Sequence, residues 1–187
     1  VSLAFSANSR LLAVAGVKQE LTVWGWVASE RVLHVAGCDL TMQFAFAPDG
    51  DWLAAFTTHL AAYPLDGRPV IIPPTTPGYR YCGGLVFTAD GKYLLASRFL
   101  SAARHARAPG RLARWTTPAF IPQTGFEPVS PYDRLAIDAS GEYLAGINSG
   151  FFQLRYARSG GYHAQEYRRV PREGSRMHLA FAPECGL

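Results

Sequence analysis

Short apolar runs in this chain alternate large with small residues and then break on a turn pair. The stretch "FAFAPDGDWLAAF", residues 44–56, shows the grammar: an alternating run, Pro-Asp-Gly, one polar residue, then a second apolar run. Four other stretches repeat it: "VSLAFSANSRLLAVAG" from Val1, "GGLVFTADGKYLLAS" from Gly83, "DRLAIDASGEYLAGI" from Asp133 and "MHLAFAPECGL" from Met177. The anchors Phe5, Phe46, Phe87, Ile137 and Phe181 are separated by steps of 41, 41, 50 and 44 residues. Self-similarity at such a period is the mark of a repeat architecture.

Each register predicts a hairpin. Leu3, Phe44, Leu85, Leu135 and Leu179 stand two residues before their anchors, with Ala4, Ala45, Val86, Ala136 and Ala180 between. Period two puts the bulky side chains on one face of a strand and the small ones on the other. Both faces are apolar, so these strands should be packed on both sides. The turn pairs Asn8-Ser9, Asp49-Gly50, Asp90-Gly91 and Ser140-Gly141 tolerate the left-handed backbone of a tight turn. A third strand ends on an aromatic in "LTVW" (Trp24), "LAAY" (Tyr63), "LARW" (Trp115) and "QLRY" (Tyr156), and a weaker fourth follows in "RVLHV", "RPVII", "PAFIP" and "YHAQEY". Four short strands in each forty-odd residues describe the blade of an all-β propeller.

The units resemble WD repeats of the degenerate kind seen in bacterial propellers, through Phe-Ala-Pro-Asp-Gly, Leu-Ala and the Trp of the third strand. That resemblance implies a WD-repeat-like β-propeller with antiparallel four-stranded blades at about 1–40, 41–82, 83–132 and 133–175, and the first strand of a fifth blade at 176–187. The chain therefore reads as an arc of a larger ring, completed by further blades in cis or by another chain. Departures from the family are clear. Trp24 precedes Gly25 and Trp115 precedes Thr116, so no unit has Trp-Asp, and the Gly-His pair that opens a typical unit is missing. The family's Asp–His–Ser/Thr–Trp network has no residues to build it, which leaves apolar packing and turn chemistry to hold the blades.

Composition narrows the class. The 187 residues are 49% hydrophobic, 13% aromatic and 17% charged, a profile of a folded chain. No run is long enough to cross a membrane as a helix, no export signal is visible, and Cys38, Cys82 and Cys185 have no metal spacing. Buried or idle thiols in a reducing, cytoplasmic compartment are expected. The net charge of +4 is uneven: residues 1–97 carry six Lys/Arg against seven Asp/Glu, and residues 98–187 carry twelve, all Arg, against seven.

The third unit gathers the candidate chemistry. The segment Pro73–Gly83, stiffened by prolines, offers Tyr79, Arg80 and Tyr81, and the long insertion behind the 50-residue step carries Arg98, Arg104, His105, Arg107, Arg111 and Arg114 without an acidic residue. The segment leading into the next unit adds Phe126 and Tyr132. Read as loops on one face of the propeller, these Arg and aromatic residues predict a binding site for an acidic or phosphorylated protein partner. A nucleic-acid backbone is a weaker fit, because lysines are few and no nucleic-acid motif is present. Convergent catalytic groups are lacking. His34, His59, His105, His163 and His178 are scattered, and there is no nucleophile elbow or phosphate-cradling Gly loop. The expectation is a non-catalytic interaction scaffold with no cofactor. A lactonase-like propeller hydrolase whose site lies in other blades and a nucleic-acid-binding module are the alternatives.

Overall fold

The computed structural model describes residues 2–16, 18–38, 43–56, 59–66, 69–72, 79–100, 110–123, 128–129, 134–148, 151–156 and 162–164. Among these there are strands and turns and no helix. The chain divides into two compact units, Val1–Pro73 and Pro74–Leu187.

The first unit holds two four-stranded antiparallel meanders. One runs β1 (Ser2–Phe5), β2 (Leu11–Ala15), β3 (Leu21–Gly25), β4 (Glu30–Val35), and the other β5 (Gln43–Phe46), β6 (Trp52–Phe56), β7 (Leu60–Pro64), β8 (Val70–Ile71). The second unit repeats the design. Its first sheet is β9 (Tyr79–Phe87), β10 (Tyr93–Leu100), β11 (Gly110–Thr116) and β12 (Ile121–Gln123), with β13 (Pro128–Val129) also paired to β11. Its second sheet is β14 (Arg134–Ile137), β15 (Tyr143–Asn148), β16 (Phe151–Tyr156) and β17 (Tyr162–Ala164).

The hairpins form where the turn pairs stand. Ser9, Gly50, Gly91 and Gly141 all take positive φ, and each amide donates to the carbonyl three residues back, at Ser6, Ala47, Thr88 and Asp138. In three of the four turns the side chain of the first residue accepts the amide five residues on. Ser6 Oγ accepts from the Leu11 amide at 3.0 Å and donates to Asn8 Oδ1 at 2.7 Å. Thr88 Oγ1 accepts from the Tyr93 amide at 3.0 Å and donates to Asp90 Oδ1 at 2.7 Å. In the fourth turn the two chemical types change places. Asp138 Oδ1 takes the Tyr143 amide at 2.7 Å, and the Ser140 hydroxyl donates to Asp138 Oδ2. Ala47 has no hydroxyl, so the second turn retains only the Asp51 amide to Asp49 Oδ1 bond, 3.0 Å, on that side.

Packing inside each unit joins unlike faces of neighbouring sheets. In the first, Ala13, Ala15, Leu21 and Val23 of one sheet form a core with Leu53, Ala55, Ala61 and Tyr63 of the other, and Phe44 and Phe46 pack against it. Small residues on one sheet thus receive the large ones of the next. Cys38 closes this core at 1% exposure; burial pushes its thiol up, and Sγ donates to the Val35 carbonyl at 3.5 Å. In the second unit Leu95 and Leu112 meet Leu144, with Val86, Leu135 and Ile137 packed around them.

Two expectations change. β1 is not packed on both sides: Leu3 is 65% and Phe5 61% exposed. In the fourth unit the aromatic slot is not filled by Tyr156. The register pairs Leu12 with Trp24, Leu53 with Tyr63, Leu94 with Trp115 and Leu144 with Arg155. Arg155 therefore stands in the slot, fully buried, and Tyr156 falls on the other face, because a shift of one residue reverses a strand's side chains.

Candidate functional site

Among the described residues, the longest strands lie in the third sheet. β9 has nine residues and β10 eight, where the corresponding strands elsewhere have four to six. The extra length is built from residues expected to be loop. β9 begins at Tyr79, so Tyr79, Arg80 and Tyr81 are strand residues. β10 runs on through Arg98, and β11 already includes Arg111. The physical reason is local. Tyr and Phe favour a pleated backbone, and no Gly, Pro or Asn interrupts Tyr93–Leu100.

Strand pairing converts a list of scattered residues into a row. Tyr81 stands opposite Arg98 across β9 and β10, and Arg98 stands opposite Arg111 across β10 and β11. Cα atoms of residues directly opposite in an antiparallel sheet stand about 4.5–5.5 Å apart. Tyr79 is opposite Leu100, two residues further along both strands, and Arg80 is opposite Phe99. Arg111 also pairs with Pro128 of β13, which gives the row a fourth strand. A register shift between Ala96 and Arg98 marks the point where the extension departs from the body of the sheet.

Two like charges set directly opposite in a sheet destabilise it. No acidic residue occurs in Tyr79–Gly84, Ser97–Leu100 or Gly110–Arg114. Planar Arg forks suit carboxylate and phosphate oxygens. Arg114 belongs to the same basic stretch but has a structural setting: its guanidinium lies 4.6 Å from the centre of the Tyr93 ring. Arg104, His105, Arg107, Phe126 and Tyr132 lie outside the described residues.

Sequence reasoning missed Arg155 and Gln153. Both are buried on the face that packs within the second unit, and Arg155 Nη2 donates to Gln153 Oε1 at 3.4 Å. An Arg in an aromatic slot has no signature in a single sequence when an aromatic residue follows it. Among the described residues no group of three His, Cys, Asp or Glu could hold a metal ion, and no helix is long and apolar enough to cross a membrane.

Comparison with known proteins gives a fold. No protein-family model matches the chain, and no curated protein matches it. Among solved structures it is similar to TolB from Acinetobacter baumannii, with 13% identity over 86% of this chain and 41% of that one, at a TM-score of 0.60. It is also similar to the hydrazine synthase of Kuenenia stuttgartiensis, with 12% identity over 90% of this chain and 48% of that one, at a TM-score of 0.65. The fold these likenesses define is the β-propeller, and the four antiparallel sheets are its blades. The chain spans less than half the length of either structure.

Proposed function

We propose that the chain is a WD-repeat-like, non-catalytic interaction scaffold that captures an acidic or phosphorylated protein segment on the extended third blade. The observation that carries this reading is the row Tyr81–Arg98–Arg111 across three hydrogen-bonded strands. Strands hold such groups more rigidly than loops, which reduces the entropy lost when a partner is bound. Tyr and Arg are also the residue types that dominate binding energy at protein interfaces.

Arg98→Ala/Arg111→Ala is the direct test, read by titrating a fluorescent phosphoserine peptide, its unphosphorylated counterpart and single-stranded RNA. Hydrogen bonds to charged groups contribute roughly 1.5–3 kcal/mol each, so the double variant should bind the phosphopeptide at least about tenfold more weakly. Wild-type affinity should also fall as salt is raised. Equal binding by variant and wild type overturns the proposal. So does tighter binding of RNA than of either peptide.

A further inference from the structure

The first blade has a bare face, and the rest of the molecule shows what such a face meets. Strand pairing puts Leu3 with Val14 and Thr22, and Phe5 with Leu12 and Trp24, on one side of the β1–β4 sheet. These residues correspond one for one to Phe44, Ala55 and Ala61, and to Phe46, Leu53 and Tyr63, in the second blade. In that blade the set is packed on Ala13, Ala15, Leu21 and Val23 of its neighbour. The fourth blade repeats the arrangement, with Leu135, Ile137 and Leu144 on Leu95 and Leu112.

Exposure separates the first blade from the others. Its aromatic slot, Trp24, is 37% exposed, whereas Tyr63 is 6%, and Trp115 and Arg155 are fully buried. Phe5 is 61% exposed, against 4% for Phe87 at the same position of the third blade. Three bulky apolar side chains grouped on one open sheet face mark a docking surface rather than scattered surface residues.

We infer that the Leu3–Phe5–Trp24 face is the docking surface for one further propeller blade, which seats its small-residue face on it. The packed interfaces set the chemistry of that occupant. Its second strand would present small residues where the first blade presents Ala13 and Ala15, backed by branched residues like Leu21 and Val23. Its innermost strand would be small where Leu3 arrives, since in the second unit Leu135, the counterpart of Leu3, occupies the space a Cβ on Gly84 would need. The inference rests on the propeller fold and not on the blade-three site, so the two proposals fail separately.

The test uses Phe5→Cys with Cys82→Ser and Cys185→Ser, leaving Cys38 as the one other thiol. The new thiol should react with maleimide at the rate of an open cysteine in residues 1–187. A tandem protein that repeats residues 1–41 ahead of residue 1 keeps the 41-residue spacing and supplies a small-residue face. With the cysteine at Phe5 of its second copy, labelling should slow at least tenfold. Unchanged labelling in the folded tandem protein overturns the inference. Slow labelling in residues 1–187 also overturns it: if independent of concentration the chain covers its own face, and if concentration-dependent a second copy does. Should the tandem protein not fold, Leu3→Ser/Phe5→Ser in residues 1–187 supplies the second measurement. Binding of an apolar dye should drop several-fold at an unchanged melting temperature, and unchanged dye binding overturns the inference.

Discussion

One turn position illustrates what single residues contribute. Gly50, Gly91 and Gly141 hold φ of 83, 68 and 72°, and Ser9 holds 56° at the same place in the first blade. A left-handed conformation costs an L-residue roughly 1–2 kcal/mol, and glycine returns part of that gain through its greater freedom when unfolded. Ser9→Gly should therefore stabilise the protein by about 0.5–1 kcal/mol, read as a higher urea midpoint at constant slope. This position was legible in the sequence, because few residue types tolerate it and all four turn pairs use them. Arg155 was not. The sequence "QLRY" offers an aromatic at its end, as the other units do, and only strand pairing shows that the residue before it faces inward. Side-chain type ordinarily places Arg outside. The apolar pattern could not reveal an exception held by buried polar neighbours such as Gln153.

At the scale of strands, the contact between β9 and β14 tests how closely two blades approach. A Cβ added to Gly84 would overlap the Leu135 side chain, so no substitution fits without displacing Leu135. Gly84→Ala should cost about 1–3 kcal/mol as an overpacked core does, and the cost should shrink in a Leu135→Ala background. A thermodynamic cycle of melts on the four proteins checks this; additive effects would show that the strands are further apart than this packing requires. Element length was the part of the candidate site that sequence reasoning got wrong. Repeats predict where the shared portion of each strand lies, and they are silent on an extension that only one blade has. Alternation in "YRYC" and the unbroken run to Leu100 were signals of strand. Proline-rich sequence before Tyr79 and the arginine-rich stretch after Leu100 masked them.

For the whole molecule, the third and fourth turns make stability depend on acid in a way that the separate turns predict. The Thr88 hydroxyl, donating to Asp90, holds that carboxyl below its usual range, and the Lys92 amide adds to the effect. Burial pushes Asp138 up, but hydrogen bonds from Ser140 and from the Tyr143 amide outweigh it and leave this carboxyl low as well. A group whose folded pKa is depressed contributes stability that is fully present above its unfolded value, about 3.9, and is lost as pH falls through the folded value. Urea midpoints should therefore hold steady from pH 7 to about pH 5 and decline below about pH 4. The first turn shows how to separate the two aspartates, since Asn8 Oδ1 already accepts from the Ser6 hydroxyl and the Arg10 amide. Asp90 uses one oxygen, Oδ1, for both its hydroxyl and its amide bond, so Asp90→Asn keeps them. It forfeits only an exposed 3.5 Å ion pair with Lys92, which is worth little. That variant should match wild type at pH 7 and decline less steeply in acid. Asp138 uses Oδ1 for the Tyr143 amide and Oδ2 for Ser140, and an amide group can accept on one side only. Asp138→Asn should thus lose about 1–2 kcal/mol at pH 7. If both variants behaved alike at pH 7, the exchange of donor and acceptor between the third and fourth turns would have no energetic meaning.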